Sequence, residues 1–174
     1  WTATPIRTNI VTTGNEQKPV YDNRGGRLVS GFHDIKLVTG PSAEYLNPRQ
    51  QEDYRSERED CITWLLTSGK DPEKHVGYAT TTIETRSKRM DHFYRWVWDE
   101  IDGYTANIST DHADGYLKYL AREDSSNAHK ANCQKALQSL YKWRHHERGA
   151  AEWEPSMKFS EGGVSQPRDY LTRK

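Results

Sequence analysis

The residues able to do chemistry gather in two stretches. Thr81, Thr82, Thr85, Arg86, Lys88 and Arg89 form one, and His129, Lys130, Asn132, Gln134 and Lys135 the other. Arg and Lys bond phosphate oxygens or guanine, Asn and Gln bond adenine, and Thr serves either, so these are the side chains of a duplex-DNA surface. Each set stands in the first half of a stretch that reads as a helix, where backbone N–H groups and the helix dipole also favour a phosphate. Two such helix starts side by side fit a major groove. A helix face is also charged simply to stay solvated, and Glu84, Asp91 and Glu123 keep both faces from being purely basic.

Other chemistry finds no foothold. The chain has no Gly-x-Ser-x-Gly, no Walker loop and no His-Glu-x-x-His, so no catalytic motif is present. His145 and His146 are adjacent and point to different faces of a helix, which rules out an i, i+4 ligand pair. No metal and no cofactor are expected. Cys61 and Cys133 show no Cys-x-x-Cys spacing and read as buried thiols behaving as small hydrophobes.

The elements that must position these residues lie in the middle of the chain. A first helix reads from Pro48 to Ser68, with Tyr54, Cys61, Ile62, Trp64 and Leu65 inward and Gly69 as its stop. A second runs from Thr80 or Thr81 to Ile101, its stripe made by Ile83, Met90, Phe93, Tyr94 and Val97, with Gly103 ending it. Ser109 or Thr110 caps a third, with Ala113, Tyr116, Leu117 and Leu120 inside. Ser125 or Ser126 starts the fourth, which places Cys133, Leu137, Leu140, Tyr141 and Trp143 toward the core before Gly149. Connections this short favour a compact bundle. The expectation is an all-α fold of four to five helices over 44–148, with an extended N-terminal arm at 1–43 and a linker at 149–174. The arm is irregular or holds a small hairpin turning at Asn23 to Gly26.

Composition bounds the core. Leu, Ile, Val and Phe make up only 27 of 174 residues, while six Trp and ten Tyr supply apolar area, each ring burying about 150–250 Å² when packed. The 25 basic and 25 acidic side chains cancel, and splitting the chain at 48 and 148 reveals no basic block. No apolar run approaches the roughly 18 residues of a membrane span and no signal-peptide layout opens the chain, so a soluble, cytoplasmic protein is expected, without a membrane partner.

A resemblance adds to this reading. Tyr78 to Val97 is similar to a helix of the N-terminal core-binding domain of phage-integrase-type tyrosine recombinases, with Thr82, Met90, Phe93 and Trp96 on its pattern. Ile108 to Leu120 resembles that domain's capped third helix, and Ser126 to Trp143 its fourth. The Trp-Arg-His-His-Glu of 143–147 and the Gln-Pro-Arg-Asp-Tyr-Leu-Thr-Arg of 166–173 resemble phrases of haloarchaeal members. The likeness spans roughly residues 44–174. Arg86 stands where the family often has Tyr, and Asn132 where it often has Arg.

The resemblance implies a SAM-like bundle that forms half of a clamp around double-stranded DNA, acting with other recombinase protomers in DNA integration and recombination. It implies DNA contact by Thr81, Thr82, Thr85, Arg86, Lys88, Arg89, His129, Lys130, Asn132 and Lys135. The strand-cleaving tyrosine and its helpers would belong to a following domain, so no catalytic residue is expected here, and Tyr170 reads as a linker residue. The competing reading is a helical module that binds protein, its basic faces merely solvated. Whether Lys88, Arg89, Lys130 and Lys135 share one surface separates the two.

Overall fold

The structure, a computed structural model, describes residues 35–160 continuously, together with short strands at 20–21, 27–29 and 163–165. Five α-helices carry the described chain: α1 (Gly40–Tyr45), α2 (Pro48–Thr67), α3 (Thr80–Ile101), α4 (Thr110–Arg122) and α5 (Asn127–Arg148). They pack as an all-α bundle, and no helix among the described residues is long and apolar enough to cross a membrane. The strands are brief additions. β1 (Val20–Tyr21) pairs antiparallel with β2 (Arg27–Val29) and β2 with β3 (Ile35–Lys36), in the register Val20 to Val29 and Leu28 to Ile35. The first pair brackets the expected turn at Asn23 to Gly26, which lies outside the described residues. β4 (Lys158–Ser160) pairs antiparallel with β5 (Gly163–Ser165).

Local chemistry explains where the helices begin. Thr39, Asn47, Ser109 and Ser126 each accept a bond from the backbone N–H three residues on, capping α1, α2, α4 and α5. Such caps contribute about 1 kcal/mol each. Only α3 starts on a residue without a capping side chain, Ala79. At its other end the left-handed residue is Asp102 (φ 56°), and Gly103 merely follows, its N–H donating to the Trp98 carbonyl at 3.1 Å. α5 stops as expected at Gly149, φ 66°.

Aromatic rings fill the space that the few aliphatic residues leave. Tyr54 meets Trp98 edge-on at 4.9 Å and Tyr94 at 5.2 Å, while Phe93 meets Tyr116 at 5.2 Å. Every residue expected inward on α3, α4 and α5 is buried. On α2 the expectation holds for Tyr54, Cys61, Ile62 and Leu65, whereas Trp64 is only half-buried and stacks on His146.

Of the five buried charged side chains among the described residues, Asp91 and Arg58 are the most deeply enclosed. Asp91, 1% exposed, accepts from Tyr54 Oη at 2.7 Å, Thr39 Oγ1 at 2.8 Å and Arg95 Nε at 3.1 Å. Arg58, 3% exposed, donates to the carbonyls of Leu37, Ser87 and Lys36. These bonds tie α2 and α3 to each other and to the chain just before α1.

The packed unit is wider than the helical block at 44–148. Ile35, Leu37 and Val38 are buried ahead of α1. Past Gly149 the chain forms no helix up to Ser160, yet it folds back onto α4 and α5 rather than running free. Trp153 packs on Tyr141 at 5.3 Å and donates its indole N–H to Asp114, and the Phe159 N–H donates to Gln134 Oε1 at 3.0 Å.

Candidate nucleic-acid interface

α3 and α5 set the geometry of the candidate site. Moving along α3 from Arg86 through Arg89 to His92, the neighbours on α5 step backwards from Ser139 through Cys133 to His129. The helices are therefore antiparallel where they touch. This overturns the expectation of two helix starts side by side: the starts lie at opposite ends of the contact, and the two sets of residues meet between them.

At that meeting point lies a hollow of about 220 Å³ lined by Thr82, Thr85, Arg86, Arg89, Asn132 and Lys135. Six of the ten expected contact residues thus come together from two helices, three of them cations, with no carboxylate among the described residues of the lining. Their type and their grouping suit an anionic ligand that also carries hydrogen-bonding edges.

The arginines are held differently. Gly77 permits a close approach of the chain to α2, because a Cβ there would lie 1.8 Å from the Leu66 carbonyl oxygen. The Tyr78 N–H then donates to the Leu65 carbonyl at 3.0 Å, which fixes Tyr78 beneath the Arg86 guanidinium, 4.7 Å from ring centre to cation. Arg86 Nη1 also donates to Ser139 Oγ at 2.7 Å, and that hydroxyl donates to the Lys135 carbonyl. Arg86 is pinned. Arg89 is held less tightly: its Nε finds no hydrogen-bond partner among the described residues, and its guanidinium engages the Cys133 thiol. Sequence reasoning missed both Tyr78 and Ser139 as positioning groups, although Ser139 sits one turn beyond Lys135.

The other four expected residues go elsewhere. Thr81 and Lys88 stand exposed on the outer ridge of α3, and His129 is exposed in the first turn of α5, its Nε2 3.5 Å from Cys133 Sγ. Burial pushes the Cys133 thiol up, with Arg89 partly opposing it. Lys130 is a correction. It is 7% exposed rather than outward, and Gln134 is 5% exposed. Both fall on the stripe of Leu137 and Tyr141 at i, i+4, i+7 and i+11, so helical register overrides their polarity. Lys88, Arg89, Lys130 and Lys135 consequently do not share one surface, an outcome that counts toward the protein-binding reading: Arg89 and Lys135 line the hollow, Lys88 stands on the ridge, and Lys130 is inside.

No protein-family model, no curated protein and no solved structure matches this chain.

Proposed function

We propose that this chain is a duplex-DNA-binding domain of the tyrosine-recombinase type, with α3 and α5 as its groove-facing helices. In this reading Arg86, Arg89 and Lys135 take phosphate oxygens or a guanine edge, Asn132 an adenine edge, and Thr82 and Thr85 either. Strand cleavage belongs to a separate domain, and other protomers of the same kind complete the synaptic assembly. The observation that carries the proposal is the hollow itself, where three cations and three hydrogen-bonding side chains converge with no acid among the described residues between them. In a neutral chain, that local excess matters more than the total charge. The sequence resemblance supports the recombinase assignment.

The experiment is a fluorescence-anisotropy titration with a short random duplex across a salt series. The expected result is binding that weakens with salt and falls roughly tenfold or more, about 1.4 kcal/mol, in Arg89→Ala with Lys135→Ala. Circular dichroism should be unchanged. Absence of binding even at low salt would overturn the reading and leave a protein-binding helical module.

A further inference from the structure

Across α3 from the first hollow lies a second. At about 100° per residue, Thr81, Thr85, Lys88 and His92 form one outward ridge, and all four are exposed. Thr82, Arg86 and Arg89 fall on the flank toward α5, whereas Glu84 and Ser87 fall on the flank toward β3 and α2. There a hollow of about 260 Å³ is lined by Lys36, Thr39, Arg58, Glu84, Ser87 and Lys88, beside Ile35.

Arg58 gives this hollow its character. Its guanidinium is almost wholly buried and donates only to carbonyls: Leu37 at 3.0 Å, Ser87 at 2.8 Å and Lys36 at 3.4 Å. No ion pair among the described residues includes it. A buried charge is ordinarily matched by an opposite one. Among the described residues Glu84 is the one acidic member of the lining and is itself engaged, so three cations face one described carboxylate. The Thr39 and Ser87 hydroxyls spend their protons on Asp91 and on the Glu84 carbonyl. An incoming anion would therefore be held by the three cations, with Arg58 as the fixed charge and Lys36 and Lys88, both exposed, as the mobile ones.

We propose that this hollow is a second phosphate site, taking a backbone phosphate of the same duplex on the far side of the α3 ridge. The proposal rests on the DNA-binding reading and deepens it: α3 then lies between two phosphate contacts, Arg86, Arg89 and Lys135 on one flank and Lys36, Arg58 and Lys88 on the other.

Two arms test it, both on the full chain and on Lys36→Ala with Lys88→Ala, which leaves Arg58 and its carbonyl bonds in place. In the first, ¹⁵N-labelled protein is titrated with inorganic phosphate against chloride at equal ionic strength. Saturable amide shifts at Lys36, Thr39, Ser87 and Lys88, lost in the variant, are expected; no saturable shift overturns the site. In the second, the duplex salt series is repeated. The slope of log K against log salt should fall by about 0.9 in the variant, the value of one phosphate contact. Native binding with an unchanged slope in the variant overturns the second site and leaves the DNA reading standing. Phosphate shifts without any duplex binding by the native chain overturn the assignment of the site to DNA.

Discussion

From Thr80 to Met90, α3 shows hydroxyls and cations along a ridge with a hollow on each flank. From Asp91 to Ile101 the same helix shows rings and carboxylates, nearly all committed to other elements. Asp91 binds Tyr54 and Thr39, Asp99 accepts from Tyr45 at 3.1 Å, and the Trp98 indole N–H donates to the Thr105 carbonyl at 2.9 Å. Trp96 packs on Tyr116 and Tyr119. The difference teaches that one helix can divide its labour along its length: the second half anchors, and the first half, held by fewer ties, is the part that meets the ligand in the proposed reading. Placement of the acids decides this, because total charge is zero.

The sharpest way to break that division is to cut the anchor. Asp91→Ala leaves the buried Tyr54 hydroxyl without its acceptor and Arg95 without its carboxylate, and loss of one member of such a buried network costs about 3–5 kcal/mol. Urea denaturation should show that loss, a large share of a domain's usual stability. A loss below about 1 kcal/mol would mean that the second half is not the anchor.

Next in size is Gly77→Ala. Its Cβ cannot sit 1.8 Å from a carbonyl oxygen, so the chain must lift from α2 at a cost of about 3 kcal/mol. Tyr78 would move with it, and duplex affinity should fall although Gly77 lies outside the hollow. Stability measured beside anisotropy checks both parts.

Arg86 and Arg89 make a finer contrast within the first half. Arg86→Ala removes the bond to Ser139 and the contact with Tyr78, so about 1–2 kcal/mol of stability should go along with affinity. Arg89→Ala removes a half-buried side chain engaged with Cys133 and should cost less stability than Arg86→Ala, below about 1 kcal/mol, with a loss of affinity. Equal stability losses in thermal melts would erase the distinction between the more and the less firmly held arginine.

The smallest expected effect is at His92, where α3 changes character. Burial first, and then the Arg95 guanidinium, hold its imidazole below the ordinary histidine range. The folded chain favours the neutral ring, so this contribution to stability is present above about pH 6.5 and is lost as pH falls through the lower folded value. His92→Gln should flatten the fall in urea midpoint between about pH 7 and pH 5. An unaltered pH profile would place the acid sensitivity elsewhere.

Most of the bundle is legible in the sequence because its long helices carry strong periodic stripes and local caps: α3 starts and ends where expected, and Ser109 and Ser126 cap as their spacing suggests. What escapes depends on distant partners. The six residues of α1 are too few to show a period, and Leu37 is buried by its neighbours rather than by any pattern of its own. Asp91 reads as a surface acid until Thr39 and Tyr54, 52 and 37 residues away, close over it. Lys130 reads as outward by its type, while its helical register puts it inside. Residue types identified the candidate contacts, but only the packing of α3 against α5 on one side and against β3 and α2 on the other sorts them into two hollows, a ridge and a buried lysine.

The most direct measurement is an amide chemical-shift map of the ¹⁵N-labelled chain titrated with duplex DNA at low salt. Shifts concentrated at Thr80 to Met90 and at Asn132 to Ser139, with Asp91 to Ile101 little changed, are the predicted result. Shifts centred on Trp96 and Tyr119, or none at saturating duplex, would contradict it.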